Sequence, residues 1–269
     1  MKPPKDLTRH YCTSCGAKKY AYKMKNAYYP LLHLTAWHCL KCMSTAVDNL
    51  HHSHWHNKPY LLELFAGSKT VASVASSDFG YRTVTVDIAP RSCSDIIADI
   101  ATLPLNRIPD RNKITLVWAS IPCETYSVLS VHKHWKKLPY SHRQYFYLPE
   151  SKEALRAIRL MEKTLWLIRN INPAYYIIEN PRGAMRHTPQ MKYIPFRYTV
   201  SYNDYESDYY KPTDLFTNIP FLKLAQLCTS KGRTFPALIE NMNDAAARAV
   251  VPPALIREIL LQIQKQSAV

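Results

Sequence analysis

Hydrophobic residues along this chain form short apolar runs that are separated by longer amphipathic segments. Strands are predicted at 60–65 (YLLELF), 83–87 (TVTVD), 114–120 (ITLVWAS) and 174–180 (AYYIIEN). Each run has the length and composition of a buried strand. A turn and a helix are predicted at 66–81, and a second helix at 148–171 begins near Pro149 and Glu150. Strands that alternate with helices predict an α/β fold with a parallel sheet and right-handed crossovers.

The end of the chain is predicted to complete this domain. Residues 196–204 and 214–218 have strand patterns, and 251–264 (VPPALIREILLQIQ) predicts a closing helix. Prolines at the first turn of a helix are tolerated because the N–H they lack would have no partner there. No internal repeat or low-complexity tract is present.

Composition limits the classes of protein to consider. With 269 residues, of which 47% are hydrophobic and 20% charged, the chain has room for one sizeable globular domain and a small appendage. No apolar run reaches eighteen residues, so no membrane span is expected. The first residues (MKPPKDLTRHYC) lack an apolar signal core, so secretion is not expected and a cytoplasmic location is.

The net charge is +15, from 35 basic and 20 acidic residues. A surplus of this size attracts polyanions and favours nucleic acid as the partner. An anionic membrane surface, or a surplus that only maintains solubility, is the alternative.

Four of the seven cysteines have the spacing of a zinc site. Cys12 and Cys15 form one pair and Cys39 and Cys42 another, with Gly16 placed where a tight turn is needed. Four thiolates can surround one structural Zn²⁺ and leave no open position for water. We therefore predict a zinc ribbon at 1–50, the alternative being four unrelated thiols.

A histidine-rich stretch follows the cysteines. Four histidines lie within 51–57 (HHSHWHN), and they could bind a second metal. Since no partner ligands follow nearby, we predict a polar linker at 51–59.

Four polar or reactive sequences lie at the ends of predicted strands. They are Phe65-Ala66-Gly67, Asp87, Pro122-Cys123 and Glu179-Asn180. Ligands of parallel sheets bind beyond the carboxyl ends of the strands, so these sequences are expected to meet in one crevice. The glycine turn with Asp87 suits a nucleotide ribose, although an ordinary strand–turn–helix would look the same.

Two of these sequences resemble the catalytic motifs of the cytosine-C5 DNA methyltransferases. Pro122-Cys123-Glu124-Thr125-Tyr126-Ser127 resembles their Pro-Cys motif, with a serine four residues after the cysteine, and Ile177-Ile178-Glu179-Asn180-Pro181 resembles their Glu-Asn motif. Phe65-Ala66-Gly67-Ser68-Lys69 partly matches their cofactor motif, Asp87 their acidic strand end and Asp99-Ile100 their Asp-Ile pair. The resemblance covers 60–218 and the closing helix, and it excludes the cysteine-rich region.

The resemblance implies a Rossmann-like class I methyltransferase sheet with helices on both faces, and S-adenosylmethionine as methyl donor. The implied cofactor-binding residues are Phe65, Ala66, Gly67, Asp87, Ile88, Asp99, Ile100 and Pro122. The implied catalytic residues are Cys123, Glu179, Asn180, Ser127 and Lys211. Cys123 would attack C6 of a flipped cytosine and Glu179 would act at N3.

Three departures from the family pattern stand out. Lys69 occupies the place of the second cofactor-motif glycine, and Glu124 replaces a glutamine. The Gln-x-Arg-x-Arg motif is missing, and 205–218 instead resembles the Tyr-x-Lys-Pro-Thr variant of small phage-type methylases. Lys211 could supply the missing charge.

The region between Asn218 and the closing helix leaves little room for target recognition. We predict a catalytic domain at 60–218, a short target-recognition region at 219–250 with a loop around 229–234, and a closing helix at 251–269. The basic and aromatic stretch 126–147 is predicted to be a mobile loop that closes over the base, or else a solvated loop.

The expected partner is double-stranded DNA bound by a monomer, in a bacterial or phage-infected cell. The same chemistry on RNA, or a decayed methyltransferase that only binds nucleic acid, remains an alternative.

Overall fold

The computed structural model describes residues 59–141, 144–207, 210–225 and 249–267, together with four short strands near the amino end. The chain divides into two compact units, 1–56 and 57–269. In the first unit, β1 (Arg9–Tyr11) pairs with β2 (Lys18–Tyr20), and β3 (Met24–Tyr29) pairs with β4 (Leu34–Cys39). Both pairs are antiparallel.

Several predictions fall outside the described residues. Cys12, Cys15 and Cys42 lie there, and Cys39 is described only as the last residue of β4. The histidine-rich stretch 51–57 and the recognition loop around 229–234 lie outside as well. The zinc ribbon, the linker and the recognition region therefore stay predictions.

The second unit is built on a mostly parallel seven-stranded sheet. The strands of this sheet are β5 (Tyr60–Leu64), β6 (Arg82–Asp87), β7 (Ile96–Ile97), β8 (Ile114–Ser120), β11 (Tyr175–Pro181), β12 (Phe196–Ser201) and β13 (Pro212–Thr217). Two further strands, β9 (Trp135–Ser141) and β10 (Gln144–Pro149), form a separate two-stranded sheet. The sheet order is β12-β13-β11-β8-β5-β6-β7. Strand β13 pairs antiparallel with both β11 and β12, and the other four pairings in the sheet are parallel. The predicted α/β class and parallel sheet are confirmed.

The helices begin and end where local chemistry allows. They are α1 (Thr70–Phe79), α2 (Val131–His134), α3 (Lys152–Ile171) and α4 (Pro253–Ser267). Helix α3 is capped by the Ser151 side chain, which accepts from the Ala154 N–H at 3.0 Å. Helix α1 ends at Gly80 in the left-handed conformation (φ 68°) that glycine adopts freely. None of the helices described here is long and apolar enough to cross a membrane.

Helices α1 and α3 cover opposite faces of the sheet. From β5 the chain crosses through α1 to β6, and from β8 it crosses through α3 to β11, which lies in the opposite direction along the sheet. Since such crossovers are right-handed, the two helices lie on opposite faces. Leu62 and Leu64 of β5 accordingly pack in one core with Met161 and Leu167 of α3. Alternation along the strand directs Glu63 toward α1.

The stretch 126–147 is not a simple loop. It forms the short helix α2 and then an antiparallel hairpin of β9 and β10. The hairpin is anchored by Trp135, which is buried, stacks on Tyr126 at 5.0 Å and donates its indole N–H to the Thr125 carbonyl at 2.8 Å. The loop prediction is wrong for 135–141 and 144–147, because the basic residues obscured an aromatic strand pattern.

Candidate active site

The carboxyl edge of the sheet brings the four predicted sequences together. Parallel pairing places Leu64 beside Val86 and Ala119, and Glu179 beside Ser120. The strands β5, β6, β8 and β11 therefore end at nearly the same level. The turns that follow them line one crevice edge, as the sequence predicts.

The turn after β5 is held in an unusual backbone conformation. Phe65, Gly67 and Lys69 all have positive φ, at 60°, 49° and 57°. Lys69, in the place of the family's second glycine, adopts the left-handed conformation itself, and its Nζ donates to the Cys93 carbonyl at 2.8 Å. A Cβ at Gly67 would meet nothing within 4 Å, so the space beside this glycine is open.

Asp87 ties this turn to the end of β6. Its Oδ2 accepts from the Gly67 N–H at 2.8 Å and its Oδ1 from the Ala89 N–H at 2.7 Å. A carboxylate has about four acceptor positions, so two remain available to ribose hydroxyls. The next side chain, Ile88, is 56% exposed although it is large and apolar. Open space, acceptor oxygens and an exposed apolar side chain fit an adenosyl group.

Glu63 supports the helix that follows the cofactor turn, and sequence reasoning missed it. Its side chain is buried on β5, and Oε2 accepts from the Ala72 N–H at 2.8 Å. Glu63 thus caps α1, because Lys69 at the helix N-cap provides no side-chain bond. Burial raises the pKa of Glu63 to about 7, although the backbone N–H groups of Ala72 and Val71 lower it. An acidic residue within an otherwise apolar strand was the available signal.

Cys123 begins a single helical turn just beyond β8. Its carbonyl accepts from the N–H groups of Tyr126 and Ser127, both at 3.0 Å, and its thiol is half-buried. Burial raises the pKa of the Cys123 thiol, Lys211 lowers it, and the carboxylates of Glu179 and Glu124 raise it further. Burial therefore favours the protonated form of the thiol in this structure.

Glu179 lies in a buried polar cluster at the end of β11. The Tyr202 hydroxyl donates to Glu179 Oε1 at 2.7 Å, and Lys211 Nζ lies 3.9 Å from the same oxygen. Lys211 Nζ is also 4.5 Å from the centre of the Tyr202 ring, a distance typical of a cation–π contact. Lys211 therefore lies within electrostatic range of both Glu179 and Cys123. Sequence reasoning missed Tyr202, because an aromatic residue within the predicted strand 196–204 suggests only core packing.

The segments after Cys123 and Glu179 pack directly against each other. The Asn180 amide donates to the Ile121 carbonyl at 2.8 Å, and the Ala184 N–H donates to the Tyr126 carbonyl at 2.8 Å. A Cβ on Gly183 would lie 2.1 Å from that Tyr126 oxygen, so only glycine fits. These contacts fix the position of the thiol relative to the carboxyl group.

The remaining predicted residues lie around this centre. Ser127 Oγ accepts from the Leu129 N–H at 3.3 Å, which stabilises the turn after the nucleophile. Asp99 accepts from the Ala101 N–H at 2.9 Å and pairs with Arg156 at 3.3 Å. Pro122 is half-buried, and Ala66 and Ile100 are buried. Ile100 could thus contact a cofactor only through its backbone.

Among the comparisons with known proteins, one relative agrees with the motifs. No family model matches the chain. A “Probable DNA (cytosine-5)-methyltransferase” of frog virus 3 (isolate Goorha) is 28% identical over 226 residues, which are 74% of this chain and 98% of the viral protein. The solved structure of the Entamoeba histolytica methyltransferase EhMeth superposes with a TM-score of 0.43 and 16% identity, over 65% of this chain and 58% of that one. A likeness this distant does not by itself establish a shared fold.

The layout of the site and the viral relative support the same class of protein. The sheet is mostly parallel, and its carboxyl edge carries a nucleotide-type turn, a thiol and a buried carboxyl group. This is the layout expected of a Rossmann-like methyltransferase. The similarity to the viral protein supports the cytosine-C5 methyltransferase family that the motifs predict.

Proposed function

We propose that this protein transfers a methyl group from S-adenosylmethionine to C5 of cytosine in DNA. One observation carries the proposal: Cys123 and Glu179 lie at the ends of the neighbouring strands β8 and β11, and Lys211 is within electrostatic range of both. The viral relative, whose length this chain almost fully covers, supports DNA cytosine as the substrate.

Cytosine C5 is a weak nucleophile, and the roles of the chain's residues follow from that. The Cys123 thiolate adds to C6, and the electron pair displaced from the ring makes C5 nucleophilic. Glu179 supports the charge that develops at N3, by a hydrogen bond or by donating a proton. After methyl transfer the C5 proton leaves to solvent or a base, the C6–S bond breaks, and Cys123 is regenerated.

Tyr202 and Lys211 hold the Glu179 carboxyl group by Oε1, which leaves Oε2 as the oxygen for the base. Lys211 also supplies positive charge that favours the Cys123 thiolate. In this proposal Tyr202 and Lys211 together take the role of the arginines that the family pattern places after the Glu-Asn motif. Asn180 and Ser127 keep the nucleophile turn in position.

The methyl donor fits the crevice edge beside β5 and β6, and when bound it supplies an electrophilic methyl group. Asp87 would accept from its ribose hydroxyls, Ile88 would cover its adenine ring, and the Phe65-Ala66-Gly67 turn would approach its polar end. Asp99, Ile100 and Pro122 would complete the contacts. Structural Zn²⁺ held by the four amino-terminal cysteines belongs to the proposal, as does a flipped target base.

The test is tritium transfer from labelled S-adenosylmethionine to unmethylated double-stranded DNA, with Cys123→Ala as the paired variant. Incorporation at cytosine that disappears in Cys123→Ala is the expected result, and bisulfite sequencing then gives the target. No transfer to DNA would contradict the proposal. Transfer to RNA instead would favour the RNA substrate, and no cofactor binding would favour a decayed homologue that only binds nucleic acid.

A further inference from the structure

A group of basic side chains beside the catalytic crevice has no part in the chemistry above. The basic patch consists of Lys137, Arg182, Arg186, His187 and Arg197. It joins the β9–β10 hairpin, the turn after β11 and the edge strand β12. We infer that the basic patch binds the phosphate backbone of duplex DNA beside the target base.

Direct contacts connect one side of the patch to the hairpin. Lys137 Nζ lies 4.7 Å from the centre of the Tyr145 ring, and that ring stacks on His187 at 4.6 Å. The Tyr145 hydroxyl also lies 3.5 Å from His187 Nε2. The hairpin that replaces the predicted loop is therefore packed against the turn that follows β11.

A buried ion pair connects the other side to the sheet. Arg186 Nε donates to Asp214 Oδ2 at 2.8 Å, and Arg186 Nη2 bonds to Asp214 Oδ1 and, at 3.3 Å, to Thr199 Oγ1. Thr199 pairs with Asp214 across β12 and β13, and Arg197 lies two residues earlier on the same face of β12. Arg186 is thus a fixed internal support, and Arg197 points outward beside it.

Apart from Arg186, which Asp214 balances, the arginine and lysine side chains of the patch have no ion-pair partner within the described parts of the chain. Asp214 is 1% exposed and is already paired with Arg186. Across residues 59–141, 144–207, 210–225 and 249–267, no ion pair involves Lys137, Arg182 or Arg197. The pKa of Arg197 is lowered, first by partial burial and then by the charge of Arg186, and Arg182 lowers it further. An anion that binds between crowded cations of this kind relieves their repulsion, so its binding is favourable.

The location of the patch favours DNA as the anion. The Arg182 N–H donates to the Pro212 carbonyl at 2.8 Å, next to Lys211, and Ala184 bonds to Tyr126 in the turn after Cys123. The patch is therefore continuous with the catalytic crevice. The inference rests on the proposed function for its choice of DNA over RNA.

The experiment measures the affinity of the full-length protein for a 30-bp duplex of mixed sequence by fluorescence anisotropy, across a range of NaCl concentrations. The variants are Lys137→Gln, Arg197→Gln and the double variant. Each lost phosphate contact should reduce the slope of log affinity against log salt by about 0.9 and weaken binding about two- to fivefold. Arg111→Gln and Lys265→Gln are the matched controls, because both residues are exposed and lie outside the patch.

Unchanged slopes in the patch variants, or equal losses in the controls, would overturn the inference. Losses confined to an RNA duplex would overturn DNA as the partner. Methyl transfer by the wild type is measured in parallel, so the two proposals can fail separately. If methyl groups are transferred but DNA binding does not depend on the patch, only the inference about the patch fails. If DNA binding depends on the patch but no methyl group is transferred, only the proposed enzymatic function fails.

Discussion

The two halves of the crevice edge are held together in different ways. Beside β5 and β6, carboxylates accept from backbone N–H groups: Asp87 from Gly67 and Ala89, and Glu63 from Ala72. Beside β8, β11 and β13, side chains contact one another: Tyr202 bonds to Glu179, and Lys211 lies close to both. The cofactor half is therefore organised by bonds to the backbone, whereas the catalytic half is organised by contacts between side chains.

This difference predicts that substitutions in the catalytic half will affect turnover far more than cofactor binding. Substitutions in the cofactor half should affect stability and cofactor binding together.

The largest expected effect is that of Glu179→Gln. The amide keeps the size of the side chain but cannot donate a proton to N3 or carry its charge, so kcat should fall about 10²- to 10⁴-fold. Affinity for S-adenosylmethionine should stay within about twofold, because the cofactor turn lies at the other half of the edge. Single-turnover tritium transfer and calorimetry measure the two quantities. A kcat within fivefold of the wild type would remove Glu179 from the mechanism.

Glu63→Gln tests the cofactor half through stability. A carboxyl group whose pKa rises to about 7 on folding, from an ordinary 4.5, binds its proton more tightly in the native state. Its contribution to stability is therefore complete below pH 4.5 and is lost as the pH rises through 7, a change of about 3 kcal/mol in all. Glu63→Gln should remove this decline while its amide oxygen still caps α1.

Urea unfolding of the wild type and Glu63→Gln at several values between pH 5 and 8 measures the difference. The exposed substitution Glu150→Gln serves as the control and should retain the decline. Parallel curves for wild type and Glu63→Gln would mean that Glu63 does not titrate on folding.

The same contrast explains how far the sequence could predict the site. Asp87, Cys123 and Glu179 each end or follow a strand with a clear apolar pattern, so the sheet order alone brings them together. Tyr202 reaches Glu179 only because β12 and β13 fold back beside β11, and no local pattern encodes that return. The hairpin of β9 and β10 was missed because its basic residues obscured the aromatic strand pattern, and because its buried Trp135 is held by Tyr126 and Thr125 from the turn after Cys123.

Tyr202→Phe isolates the hydrogen bond that orients Glu179. Loss of a buried bond to a carboxyl group should lower kcat about tenfold, because the carboxyl group is then less well positioned. The KM for S-adenosylmethionine should not change. Tyr198→Phe is the matched control: its hydroxyl donates to the Ile219 carbonyl at 3.0 Å rather than to Glu179. Equal losses in both variants would indicate damage to β12 rather than to the carboxyl group.

Glu124→Gln has the smallest expected effect and the most specific one. Glu124 is exposed, and its charge raises the pKa of the Cys123 thiol, after the larger effects of burial, Lys211 and Glu179. The thiolate is the reactive form, so kcat/KM should rise with pH through the thiol pKa. Removing the negative charge stabilises the thiolate, and the rise should move to lower pH; Lys211→Gln should move it to higher pH. High salt should shrink the Glu124 shift, because the charge is solvent-screened. Shifts in the same direction for both variants would mean that the pH dependence belongs to a group other than Cys123.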